Sequence, residues 1–125
     1  MPISVKDMLA AARAAVPMVS PRDAAALAAA GDALIVDVRD GTEVMAGGKA
    51  KGALHVARGL LEFKADPESP AYDPAFRRDR TIILYCGSGG RAVLAGKTLK
   101  DMGYTDVRNL GGFQDWLAAG GAIEK

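Results

Sequence analysis

A chain of 125 residues, 50% hydrophobic and 25% charged, has the make-up of one ordinary soluble globular domain, and residues 1–125 are read as a single unit. Sixteen Lys and Arg against fifteen Asp and Glu leave a formal charge of +1, which disfavours nucleic acid or an anionic membrane as a partner. One Cys and one His exclude an internal disulfide and the usual zinc site; no stretch nears the roughly 20 apolar residues that span a bilayer, and a lone thiol fits a reducing cytoplasm.

Over residues 4–16, Val5, Met8, Leu9, Ala12 and Val16 recur at the spacing of one helical face, predicting an amphipathic helix that Pro17 stops. Ser20-Pro21-Arg22-Asp23 supplies a capping hydroxyl, a proline at the first helical position and an acid in the first turn, so residues 24–30 are expected to be helical up to Gly31. Leu34-Ile35-Val36-Asp37-Val38 reads as a strand buried on both faces, with Asp37 and Arg39 at its C-terminal end. The Gly-rich stretch 41–52 has room for a short helix at 42–46. Residues 53–56 make a short strand in which His55 reads as a satisfied core histidine.

Residues 62–80 carry Pro67, Pro70 and Pro74 among many charges, a long connection of the kind that lines a site or a partner surface. Residues 81–85 are the most strand-like stretch. Residues 91–102 follow as a helix with Ala92, Ala95, Leu99 and Met102 on one face and Gly103 just past its end. A last short strand is expected at 106–108, and Gly111-Gly112 is expected to open a final helix anchored in the core by Phe113 and Trp116.

Alternating strands and helices predict an α/β fold with helices covering a parallel sheet, and such folds bind ligands beyond the carboxyl ends of their strands. Asp37, Arg39 and Cys86 all fall there. Between the strand at 81–85 and the helix after it stands Cys86-Gly87-Ser88-Gly89-Gly90-Arg91, which holds the only cysteine. A cysteine thiol ionises near about 8.5, and a helix N-terminus or a nearby cation lowers that value. The glycines let successive N–H groups turn toward the sulfur, Ser88 adds a hydroxyl donor and Arg91 a cation. Packing is the ordinary fate of a cysteine ending a core strand. Three glycines among the four residues before Arg91 favour a functional loop.

Together these features resemble the single-domain rhodaneses, a family of thiosulfate and persulfide sulfurtransferases, over nearly the whole chain. The resemblance rests on Asp37-Val38-Arg39 ending an early strand, Gly52-Ala53-Leu54-His55 before the long connection, Cys86-x-x-Gly89-x-Arg91, and Gly111-Gly112-Phe113 followed by Trp116. It implies a three-layer α/β/α domain around a central parallel sheet. It also implies a reaction, needing neither metal nor cofactor, in which the Cys86 thiolate takes a sulfane sulfur from thiosulfate or a persulfide and passes it to a thiol, cyanide or protein acceptor.

On that resemblance Gly87, Ser88, Gly89, Gly90 and Arg91 bind substrate, Arg58 and Lys64 either add positive charge to the substrate site or are solvated loop cations, and Asp37 and Arg39 support the site from behind. Phosphatases and arsenate reductases of the same fold carry one residue more between cysteine and arginine; the shorter loop here suits a sulfur atom. Many thiosulfate-using members carry Arg or Lys where this chain has Gly87 and Gly90, and frequently Ser or Thr where it has Ala92. Weak thiosulfate turnover and a preference for a persulfide donor or protein partner follow as expectations. A second expectation, of another class, is a sulfur carrier, redox sensor or binding module that does not turn over.

Overall fold

The computed structural model describes residues 2–125. Helix α1 (Val5–Ala15) opens on a capping box in which the Ser4 hydroxyl accepts from the Asp7 N–H and the Asp7 carboxylate accepts from the Ser4 N–H. Helix α2 (Pro21–Ala29) is capped by Ser20, whose Oγ lies 3.1 Å from the Asp23 nitrogen. There follow β1 (Ala33–Asp37), α3 (Gly41–Gly47), β2 (Lys49–Ala50) and β3 (Leu54–His55). A single 3-10 turn (Arg58–Leu60) leads into α4 (Leu61–Ala65). The chain ends with β4 (Thr81–Cys86), α5 (Gly90–Asp101), β5 (Val107–Gly112), α6 (Phe113–Ala118) and β6 (Ile123–Glu124).

Four strands form a parallel sheet in the order β3-β1-β4-β5. Because side chains alternate across a strand, β4 divides its residues between two cores. Ile82, Leu84 and Cys86 join Ala12, Leu61 and Leu99 on the face covered by α1, α4 and α5. Ile83 and Tyr85 join Ala24, Phe113 and Trp116 on the face covered by α2 and α6. The result is the expected three-layer α/β/α architecture, with residues of β1 and β4 buried on both sides. Phe113 and Trp116 are core anchors, and the indole Nε1 donates to the Ala122 carbonyl at 2.8 Å. Among the described residues no helix is long and apolar enough to cross a membrane.

Two expectations need correction, and one pairing goes unforeseen. Gly112 caps the last helix, which opens at Phe113 as expected, but both glycines are also the end of β5, which runs to Gly112 instead of stopping at residue 108. The strand continues because its pairing with β4 shifts by one residue, from Leu84 with Asn109 to Tyr85 with Gly111, and Gly111 takes the left-handed φ of +104° at this bulge. The small antiparallel pair β2 and β6 is not anticipated from the sequence, since two-residue strands carry no periodicity. Finally, residues 62–80 do not lie along the cysteine loop as a site-lining connection. Part of the segment is α4, and the rest packs against the far end of α5, where the Tyr104 hydroxyl donates to the Ala65 carbonyl at 2.7 Å and Phe76 meets Tyr104 edge-on at 6.3 Å. A helix of 12 residues holds that end about 18 Å from Cys86.

Candidate active site

Cys86 is the last residue of β4, and the loop 87–89 carries the chain directly into α5. Its side chain is buried, and its Sγ accepts a hydrogen bond from the Gly89 N–H at 2.9 Å. That bond depends on Gly89 being left-handed, with φ +103°. A Cβ on Gly89 would also stand 3.4 Å from the Gly111 Cα, so the bulged end of β5 forms the wall behind the loop. Asn109 ties the same wall by accepting from the Gly111 N–H at 2.8 Å. Gly112, paired with Cys86 across the sheet, is closer still: a Cβ there would come within 2.3 Å of the Gly87 carbonyl oxygen. Ser88 is exposed at the tip of the loop.

The loop cation is not free. Arg91 reaches across Gly87 to α3, where its Nη1 and Nη2 donate to the two carboxylate oxygens of Glu43 at 2.6 and 3.1 Å. Hydrogen bonding from Arg91, working against the opposing effect of burial, lowers the Glu43 pKa to about 2. The same bond to Glu43 is the largest cause holding Arg91 above its ordinary value, with the Cys86 sulfur and Asp40 adding attraction. Sequence reasoning does not find Glu43. Its one signal is Asp40-x-x-Glu43, the pattern of a helix N-terminus, and the Glu43 carboxylate does accept from the Asp40 N–H at 3.2 Å.

A folded-state pKa below the unfolded one stabilises the protein above the unfolded pKa, and that contribution is lost as pH falls through the folded value. The pair is half-exposed, with side-chain exposures of 40% and 35%, so solvent screening cuts its worth to about 1 kcal/mol. Glu43→Gln is therefore expected to lower unfolding free energy by about 1 kcal/mol at pH 7. In urea titrations the difference from wild type should shrink from pH 4.5 toward 2 and vanish below. A difference that persists at that acidity would assign it to packing.

Asp37 and Arg39 form a buried pair, with Arg39 Nε and Nη2 donating to the two Asp37 carboxylate oxygens at 3.0 and 2.7 Å. Burial works against the Arg39 charge, yet Asp37 outweighs it and keeps the pKa raised. Tyr85, also not singled out by the sequence, donates from its hydroxyl to Asp37 at 2.7 Å and accepts from the Ala50 N–H at 3.0 Å; burial pushes its phenol up. Arg39 continues to the Gly48 carbonyl at 2.6 Å and lies over the Phe113 ring at 4.2 Å. His55, as expected, is satisfied, bonding the Arg39 carbonyl at 2.7 Å. The pair thus fastens the ends of β1 and β4 to both ends of the α3 segment, and so fixes where Glu43 stands.

Arg58 stands just past the end of β1, its N–H donating to the Val38 carbonyl at 3.1 Å, while its guanidinium donates to Glu62 at 2.9 Å and to Thr98 at 3.1 Å, two turns along α5 from Arg91. Lys64 is on α4, half-buried. A cavity of about 530 Å³ lined by Arg22, Lys51, Arg80 and Trp116 is remote, since Arg80 precedes the first residue of β4 and Cys86 is its last.

The site is thus a single cysteine presented in a glycine loop at a strand-to-helix junction of a three-layer domain built on a parallel sheet. The chain belongs to the rhodanese family, for the rhodanese-like domain model matches residues 20–119. It is 31% identical over 111 residues to the human thiosulfate:glutathione sulfurtransferase, covering 83% of this chain and 96% of the relative. Among solved structures it is similar to the Wolinella succinogenes polysulfide-sulfur transferase homodimer, with 33% identity, TM-score 0.74 and coverage of 95% of this chain and 85% of that one. A Rhodopseudomonas palustris protein described as of unknown function and a possible tyrosine phosphatase shows 41% identity and TM-score 0.89, covering 99% and 96%.

Proposed function

We propose that this protein is a sulfurtransferase that carries sulfane sulfur on Cys86, working where a reducing cytoplasm keeps its thiol free. The Cys86 thiolate attacks the outer sulfur of the donor, the donor's S–S bond breaks, and sulfite or a thiolate leaves with the bonding electron pair. A thiolate or cyanide then attacks the outer sulfur of the Cys86 persulfide and regenerates the thiolate. No metal or cofactor enters this balance. Transfer through one nucleophile gives ping-pong kinetics.

The observation that carries the proposal is the Gly89 N–H aimed at the Cys86 sulfur, 2.9 Å away, within a loop of four residues. Such a loop suits one anionic sulfur, with the Gly89 N–H as the donor already facing it and backbone N–H groups as the class of donor for the charge on the outer persulfide sulfur. Uncharged Gly87 and Gly90, with Arg91 engaged by Glu43, favour a persulfide donor, small or protein-bound, over thiosulfate. Asp37 and Arg39 act as scaffold. Arg58 has its guanidinium engaged by Glu62 and Thr98.

The test is intact-mass analysis after exposure to thiosulfate or glutathione persulfide, which should show one added sulfur that cyanide or a thiol removes over repeated cycles. Uncharged Gly87 and Gly90 support a second reading, a carrier or redox sensor, for which loading would occur without turnover. A phosphate ester offered in parallel should remain intact; its hydrolysis at the rate of sulfur transfer would overturn the proposal.

The wall behind the loop gives a further expected result. Gly112→Ala puts a methyl group against the Gly87 carbonyl, and backbone on both sides cannot yield as a side-chain tip would. Displacing the loop by a fraction of an ångström or more should slow sulfur loading roughly 10²-fold. Stopped-flow loading within twofold of wild type would show that loop position does not set the rate.

A further inference from the structure

We infer that Glu43 is a positioning residue that selects the sulfur donor, holding Arg91 as a neutralised pair so that the loop discriminates against a dianion. The inference rests on the sulfurtransferase reading and adds a determinant within it. Three observations converge. Glu43 engages Arg91 in a two-pronged fork, at 2.6 and 3.1 Å, leaving one side of the guanidinium committed. The pair stands directly over the residue after the nucleophile: a Cβ on Gly87 would lie 3.0 Å from Arg91 Nη2 and 3.6 Å from Glu43 Oε2. A side chain there would have to displace the pair, so the bare Gly87 and the ion pair fit each other. Asp40, one turn earlier, adds a second negative charge felt by Arg91.

The charge ledger of the loop follows. Arg39 is consumed by Asp37 behind the sheet, and Arg58 by Glu62. The cation that faces the loop is cancelled by Glu43, and the reacting thiolate is itself negative. Thiosulfate brings two charges to the reacting end and releases sulfite with two, whereas a persulfide brings one. With that cation cancelled, each unit of negative charge on the donor faces the thiolate without a compensating attraction, so a dianion is disfavoured more than a monoanion. Bound as it is by Asp40 and Arg91, Glu43 does not swing away to relieve this.

The test compares donors on the full chain. Glu43→Gln keeps the shape of the fork and removes its charge; kcat/KM for thiosulfate relative to glutathione persulfide should rise roughly tenfold, mostly through KM. Glu43→Asp, which keeps the charge, should restore the wild-type ratio within about threefold, and Asp79→Asn, which removes a surface carboxylate paired with Arg77, should leave it unmoved. Wild-type protein supplies a reading free of any folding defect: its KM for thiosulfate should stay level or fall as salt is added, because screening relieves repulsion. An unmoved ratio in Glu43→Gln, parallel losses with both donors, or a thiosulfate KM that climbs steeply with salt would overturn the inference. In each of those cases Cys86 still loads and turns over. Absence of loading from either donor would instead remove the sulfurtransferase reading, and this inference with it.

Discussion

Cys86→Ser is expected to take up no sulfur and to lose at least about 10³-fold in turnover with any donor, because a hydroxyl neither ionises near neutral pH nor forms a stable bond to sulfane sulfur. The chain makes this test unusually clean. Cys86 is its only cysteine, so no second thiol can accept sulfur and mask the loss. The fold should survive. The serine oxygen can accept the Gly89 N–H that the sulfur accepts now, although a hydroxyl buried on the α1 and α5 face makes about 1 kcal/mol of destabilisation a reasonable expectation. Cys86→Ala separates the two effects, since it removes the nucleophile without placing a polar group in the core. Both variants should be inert and well folded by circular dichroism. Sulfur loading equal to wild type in either one would end the case for Cys86 as the carrier.

Much of this site is legible in the amino-acid sequence alone, and the limits are physical. The strand at 81–85, the glycine run and the helix after it follow from local rules, so Cys86 at the end of a buried strand is readable from its neighbours. So is the helix start at Ser20-Pro21, whose hydroxyl cap forms as expected. The partners of the reactive loop are not. Glu43 meets Arg91 from 48 residues away, through the tertiary placement of α3, and nothing local to either residue encodes that meeting. Tyr85 looks like one more apolar strand residue; its hydroxyl matters only because β1 sets Asp37 beside it. Gly111 and Gly112 mark the start of α6 but hide the reach of β5, because consecutive glycines usually break regular structure, whereas here the bulge needs one and the Cys86 loop needs the other's missing side chain. Arg58 follows the family pattern to the end of β1, and that its guanidinium meets Glu62 and Thr98 there depends on the tertiary placement of α5, which no local rule encodes.

Asp37→Asn should destabilise the protein by about 3–5 kcal/mol in urea denaturation at pH 7, a loss large enough to threaten folding at higher temperature. The carboxylate is 0% exposed and Arg39 4%, so the substitution leaves a guanidinium charge in the core opposite a neutral amide. That charge has nowhere to go: the Gly48 carbonyl offers one hydrogen bond at 2.6 Å and the Phe113 ring a face at 4.2 Å, and neither carries a compensating charge. The damage should be electrostatic more than steric, since Asn has nearly the shape of Asp. A double-mutant cycle isolates this part. Arg39→Met removes the stranded charge, so Asp37→Asn combined with Arg39→Met should be more stable than the sum of the single effects by about 2 kcal/mol. Sulfur loading should report the same coupling, because Asp37 and Arg39 hold the two ends of the α3 segment and thereby the fork of Glu43 on Arg91. Strict additivity, or a single-variant cost below about 1 kcal/mol, would mean that Asp37 and Arg39 do not act as a buried ion pair and that the loop is positioned without them.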